Sequence, residues 1–179
     1  MATPYCGYMG KVALVDMTTQ TITDYPWTDR ERELFIGGKI MAAKILCDQL
    51  TGKEEPYSEE NLLVITTGPL TGTGAPISSR FNISTLSPQT GFITSSNCGG
   101  SFGYHLKRAG YDALVLRGRC QAHTWLAIHN DHFVFHPDTA ITAKDIDGCI
   151  ISVNGKAGKK NTKLADGDEV MLMSPVCGG

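Results

Sequence analysis

Arg80 stands between two glycine-rich stretches, an arrangement suited to an anionic ligand. Upstream runs Thr67-Gly-Pro-Leu-Thr-Gly-Thr-Gly-Ala-Pro76, which includes Gly72 and Gly74; downstream come Asn97, Cys98, Gly99 and Gly100. A guanidinium is a planar fork of five donors, matched to a phosphate or to the edge of a heterocycle. The Asn97 side chain can bond a ligand, or help to hold a cation through its amide oxygen. Residues 97–100 precede an expected helix from Phe102, so their backbone N–H groups could form an anion nest. Two readings stay open on these residues alone: loops that merely turn between strands, and a cradle for a phosphate-bearing cofactor. Neither the dinucleotide fingerprint nor a P-loop is present.

Charge and glycine are concentrated in the same third of the chain. Residues 61–120 carry five Lys/Arg and one Asp, net +4, whereas residues 1–60 and 121–179 are net −4 and −2. The middle third also holds nine of the 20 glycines. A positive, glycine-rich segment between acidic ones favours an anion there. The whole chain has net charge −2, which gives no case for a nucleic-acid partner. No apolar run reaches the ~18 residues of a membrane span. The first ten residues lack a signal pattern, so the expected location is the cytoplasm.

The six cysteines (Cys6, Cys47, Cys98, Cys120, Cys149 and Cys177) contain no Cys-x-x-Cys pair, which argues against a local zinc or iron–sulfur site within this chain. His123, His129, His132 and His136 cluster loosely and read as strand or turn histidines rather than ligands.

The elements that must position Arg80 and Asn97 read as α+β, with mixed, mostly antiparallel sheets and a few helices. Alternation predicts an N-terminal hairpin over residues 10–16 and 21–25. Thr28 with Glu31 makes a capping box for a helix that stops at Gly37-Gly38. A second helix, about 40–50, carries Ile40, Ala43, Leu46 and Leu50 at helical spacing. Strands are expected at 62–66, 80–86, 113–117, 124–129 and 133–135, a loop at 95–100, and a short helix at 102–109.

These motifs resemble the aldehyde ferredoxin oxidoreductase family. The resemblance lies in Tyr8-Met-Gly-Lys-Val, Val15-Asp-Met-Thr-Thr19, Phe35-Ile-Gly-Gly38 and, most specifically, Thr67 to Pro76. It continues through Ser79-Arg-Phe-Asn82, Leu86-Ser-Pro88, Ser96-Asn-Cys-Gly-Gly100 and Leu106-Lys-Arg-Ala-Gly-Tyr-Asp112, in the family's order over residues 5–140. The resemblance implies a domain that cradles tungsten, or molybdenum, held by two pterin dithiolenes whose phosphates are linked through magnesium. It implies that Arg80 lies between pterin and an iron–sulfur cluster, and that Asn97 and its glycines line the phosphate and magnesium site. The family's later domains carry the 4Fe–4S cluster ligands and the substrate surroundings. Their absence here implies a truncated or split first domain, inactive alone on aldehydes unless a separate chain supplies the cluster domains.

The tail resembles a second group. Ile151-Ser-Val-Asn-Gly155, Thr162 to Val170 and Pro175-Val-Cys-Gly-Gly179 look like the C-terminal half of ubiquitin-like sulfur carriers, closest to the small subunit of molybdopterin synthase. That implies a partial β-grasp-like hairpin and a terminus, Gly178-Gly179, presented to an adenylating enzyme of the molybdopterin pathway. The expected division is therefore 1–147 for the oxidoreductase-like domain and 148–179 for the tail.

Overall fold

The computed structural model describes residues 3–122 and 124–137, and three further strands at 150–153, 156–157 and 170–173. It forms two compact units, Met1–Pro137 and Asp138–Gly179.

In the first unit, β1 (Val12–Asp16) and β2 (Thr21–Asp24) form the expected hairpin. Next come α1 (Asp29–Phe35) and α2 (Gly38–Gln49), then β3 (Leu62–Thr67), β4 (Phe81–Leu86) and β5 (Ile93–Cys98). They are followed by α3 (Phe102–Arg108), β6 (Ala113–Arg117), β7 (Thr124–His129) and β8 (His132–Pro137). One six-stranded sheet runs β2-β1-β6-β3-β4-β5, while β7 and β8 pair as a separate hairpin. Most neighbours are antiparallel, but β1 and β6 are parallel, with Val12 opposite Ala113.

Period-two alternation gives the sheet two apolar faces. Val12, Val64 and Val115 point to α2, which buries Met41, Ala42, Ile45 and Leu46 against them. Ala13, Val15 and Leu114 meet Leu106 of α3 and Tyr111, with the β7–β8 hairpin packed over them. The apolar stripe of α2 keeps Leu46 and Leu50 of the expected one against the core and differs at the other two positions. Ile40 is 55% exposed and Ala43 is half-buried, because the buried ridge follows residues 41, 42, 45 and 46. Both hydrophobic ladders were present in the sequence, and the helix presents the one whose side chains meet the sheet.

The capping box forms as the sequence indicates. The Thr28 hydroxyl accepts from the Glu31 N–H, and the Glu31 carboxylate accepts from the Thr28 N–H. The expected 95–100 loop is in part a strand: Ile93–Cys98 pairs in register with β4, and every one of its six residues is exposed. Its polar Ser-Ser-Asn-Cys sequence has little strand propensity of its own, so the open edge of β4 supplies the order.

In the second unit, β9 (Ile150–Val153) pairs antiparallel with β10 (Lys156–Ala157) and with β11 (Val170–Met173). The expected boundary at 147/148 and the Gly178-Gly179 terminus lie outside the described residues, and the expected partial β-grasp-like hairpin gains no support. No helix among the described residues is long and apolar enough to cross a membrane.

One loop is built around an anionic cap. The Glu54 carboxylate accepts from the N–H groups of Thr51 at 2.8 Å, Gly52 at 2.9 Å and Lys53 at 3.1 Å. Those donors, the Thr51 N–H foremost, hold its pKa at about 2 against an ordinary 4.5. A depressed carboxylate stabilises the folded state above its unfolded pKa and loses that contribution as pH falls through the folded one. The stabilisation is thus expected to be complete above pH 4.5 and to fade toward pH 2. Carbon-13 titration of the Glu54 carboxyl should give the low midpoint, and Glu54→Gln should flatten that part of the acid dependence of Tm.

Candidate functional site

The chain after β3 is held at both ends of its turn. The Thr67 N–H and hydroxyl both donate to the Asp112 carbonyl, at 3.0 and 2.7 Å. Further on, the Thr71 N–H donates to the Gly68 carbonyl at 3.1 Å, and the Thr71 hydroxyl donates to the Arg80 carbonyl at 3.3 Å. The loop therefore returns to the start of β4 and brings Arg80 beside its own first residues. Gly7, at φ +87°, lies against the Pro69 carbonyl so closely that any Cβ would collide with backbone.

A cavity of about 390 Å³ opens between this loop, the start of β4 and the end of β5. Arg80 and Asn97 both line it, together with Thr66, Gly68, Pro76 and Asn82. The two residues singled out by sequence therefore share one site. Arg80 is exposed, and its guanidinium has no hydrogen-bond partner among the described residues.

Asn97 is set by a short polar chain. The Ser84 hydroxyl donates to the Asn82 amide oxygen at 2.7 Å. The Asn82 amide in turn donates to the Ser96 carbonyl at 3.1 Å and to the Asn97 side-chain oxygen at 3.0 Å. Ser84 and Asn82 are 1% and 2% exposed, so the chain is anchored in the core and ends at the cavity. The Asn97 oxygen keeps a second lone pair for another donor or a cation.

Thr66 completes the wall. It is fully buried, and its hydroxyl has no hydrogen-bond partner. A buried hydroxyl without a partner costs free energy. No carboxylate, imidazole or thiol is among the residues lining this cavity. Its chemistry is therefore hydrogen bonding and positive charge, which binds a ligand rather than moving its protons.

The other expected residues are placed differently. Gly72 lies in a neighbouring cleft with Gly7, Met9, Thr73, Lys107 and Arg108. At φ +79° it packs on the Lys107 side chain, where a Cβ would stand 2.9 Å from Lys107 Cβ. A Cβ added at Gly74, Gly99 or Gly100 would meet nothing within 4 Å, and Cys98 is exposed at the end of β5. The helix after residues 97–100 begins from Ser101 and runs only seven residues.

Sequence reasoning did not single out three residues that the geometry does. Thr66 and Asn82 are polar positions inside strand patterns, and that interruption was the available signal. The third is Lys107, whose ammonium lies 2.5 Å from the Asp112 carboxylate, with both side chains 4% exposed. Asp112 also accepts from the N–H groups of Met9 and Gly10 at 2.9 Å each. Lys107 donates to the Gly7 carbonyl at 2.7 Å. This buried pair fastens the N-terminal segment beside the loop that walls the cavity.

Among the described residues no group of three or more His, Cys, Asp or Glu could hold a metal ion. Cys6, Cys47, Cys98 and Cys120 are free thiols. His129 and His132 face each other across the β7–β8 turn, and His136 stacks on Trp125.

Against known proteins, the sequence model of the family described as "Aldehyde ferredoxin oxidoreductase, N-terminal domain" matches residues 12–167. The tungsten-containing aldehyde ferredoxin oxidoreductase of Pyrococcus furiosus is 33% identical over 159 residues, 89% of this chain and 26% of the relative. The aliphatic sulfonate oxidoreductase, WOR-like subunit, of the same organism is 35% identical over 127 residues, 69% of this chain and 20% of the relative. A solved structure, the active site complex BamBC of benzoyl coenzyme A reductase in complex with 1,5-dienoyl-CoA, superposes with a TM-score of 0.72 at 36% identity. That alignment covers 81% of this chain and 21% of the solved one. The chain thus spans about a quarter of the length of these curated aldehyde oxidoreductase relatives. The family match continues through residue 167, across much of the tail, and the sulfur-carrier resemblance of that tail gains no support.

Proposed function

This chain belongs to the aldehyde ferredoxin oxidoreductase family, as its N-terminal domain, and from that premise we propose that the Arg80–Asn97 cavity cradles a pterin-borne tungsten or molybdenum. The observation that carries the proposal is the exposed Arg80 guanidinium, without a hydrogen-bond partner among the described residues, in the cavity that Asn97 also lines. The residues present fit the group. Arg80 offers its free fork to a phosphate or a pterin edge. The Asn97 oxygen, held in place by Asn82, would take magnesium at the pterin phosphates. When bound, the group supplies two-electron chemistry of the kind that converts aldehydes to acids.

The protein's own part is to bind and orient. Arg80 neutralises phosphate charge, and the Ser84–Asn82–Asn97 chain fixes the amide so that its oxygen faces the cavity without rotamer cost. Gly7 and Gly72 let the N-terminal segment and Lys107 close on the loop from behind. The thiols among the described residues are dispersed, so a 4Fe–4S cluster would be held by another segment. A separate chain carrying the cluster and substrate domains would complete an oxidoreductase.

The test is reconstitution. Protein incubated with tungstopterin under anaerobic conditions should retain tungsten and pterin through gel filtration, read by plasma mass spectrometry and pterin fluorescence. Arg80→Ala should weaken retention by about 1.5–3 kcal/mol, the value of a charged hydrogen bond. Thr66→Val should leave retention unchanged while raising the Tm of the ligand-free protein, because the orphaned hydroxyl is gone. Retention unchanged in Arg80→Ala would refute the assignment.

A further inference from the structure

The six-stranded sheet ends differently at its two edges. At one edge, β2 is four residues long, ends in Asp24 and is followed two residues later by Pro26. A short strand, a charge and a proline are the usual means by which an edge is kept from pairing with another chain. At the other edge, β5 has none of them. It runs for six residues, Ile-Thr-Ser-Ser-Asn-Cys, without charge or proline, and all six are exposed. Among the described residues it pairs with β4 alone. The backbone shows which of its groups face outward. The Phe92 carbonyl accepts from the Ser87 N–H at 2.8 Å, and the register continues from Leu86 opposite Ile93 to Phe81 opposite Cys98. Backbone groups of successive residues alternate between the two sides of a strand. Thr94, Ser96 and Cys98 therefore turn theirs to β4, and Ile93, Ser95 and Asn97 turn theirs outward.

We propose that β5 is a self-pairing edge that takes the β5 strand of a second copy of this chain, antiparallel about a twofold axis at Ser95. Ser95 then lies opposite Ser95, and Ile93 opposite Asn97, each pair exchanging two backbone hydrogen bonds. The side chains suit that register. Thr94 meets Ser96, hydroxyl to hydroxyl, and Phe92, which is 76% exposed, meets the exposed Cys98. No charge faces a like charge, as a surface that meets itself in a twofold interface requires. The bonds are made by the backbone, so the Asn97 amide stays on Asn82 and at the cavity. One strand from each copy buries less than the roughly 1,200 Å² of a stable interface, so the expected dimer is weak, with a Kd on the order of 100 µM.

Sedimentation velocity of the full chain, at concentrations spanning about tenfold either side of that Kd, should show a reversible monomer–dimer equilibrium. Backbone amide exchange, read residue by residue by NMR, should slow at Ile93, Ser95 and Asn97 as the concentration rises. It should stay constant at Thr94, Ser96 and Cys98, whose N–H groups are already bonded to β4. Ser95→Lys sets two ammonium groups against each other across the axis and should weaken the dimer at least about tenfold. Thr23→Lys, the same change of charge at an exposed position on β2, should leave it unaltered. The exchange pattern of the unaltered protein keeps the test decisive if Ser95→Lys misfolds. A chain that stays monomeric throughout that range would overturn the proposal. So would equal weakening by the two lysines, a dimer untouched by Ser95→Lys, or a dimer without slowed exchange at the three outward amides.

Discussion

Replacing Lys107 by Met is expected to lower the unfolding free energy of the first unit by about 3–5 kcal/mol, because it strands the Asp112 carboxylate in the core. Asp112 would keep the Met9 and Gly10 N–H donors but lose the Lys107 cation, at a position 3% exposed. The Gly7 carbonyl would also lose its donor. Asp112→Asn should cost a similar amount by stranding the ammonium. The double variant should be less damaged than the sum of the two, since neither charge then remains. Urea denaturation of the four proteins measures this directly. A Lys107→Met loss below about 1 kcal/mol would place the pair among ordinary surface bridges.

Ile45→Ala should cost about 2–5 kcal/mol, the usual range for a buried aliphatic truncation that leaves a cavity. Ile45 is fully buried and forms part of the cluster with Val12, Val64, Ala113 and Val115. Ile40→Ala, on the same helix, should stay within about 0.5 kcal/mol, because Ile40 is 55% exposed. The pair of variants discriminates between the two apolar ladders of α2. Similar costs at both positions would mean that the helix is rotated from the orientation described.

The contrast between those two isoleucines shows what the sequence could and could not convey. Amphipathic spacing located α2, but Ile40-Ala43-Leu46-Leu50 and Met41-Ala42-Ile45-Leu46 are both acceptable ladders, and only the sheet chooses between them. Local signals with reciprocal chemistry survived translation into structure: Thr28 and Glu31 cap each other as their spacing requires. Strand β5 was illegible because its residues favour a turn, and its order comes from pairing with a strand read separately. At the site, Arg80 and Asn97 stood out by type and by glycine neighbours. Thr66, Asn82 and Lys107 did not, since a polar residue in an apolar run acquires meaning only when its burial and partners are known.

The order of strands in the large sheet also sets an order of events. β6 lies between β1 and β3, pairing with both, yet it is the last of the six strands in the chain. The β1–β2 hairpin and the β3–β4–β5 meander can each form from neighbouring segments, but no strand joins them until β6 arrives. The Asp112 carboxylate that anchors Met9 and Gly10 arrives with it, closing a loop of about a hundred residues. Such late, long-range closure makes for slow folding. A ribosome-bound chain would therefore hold two half-sheets with open inner edges, and Arg80 would gain its finished surroundings only after the strand that follows α3 had emerged.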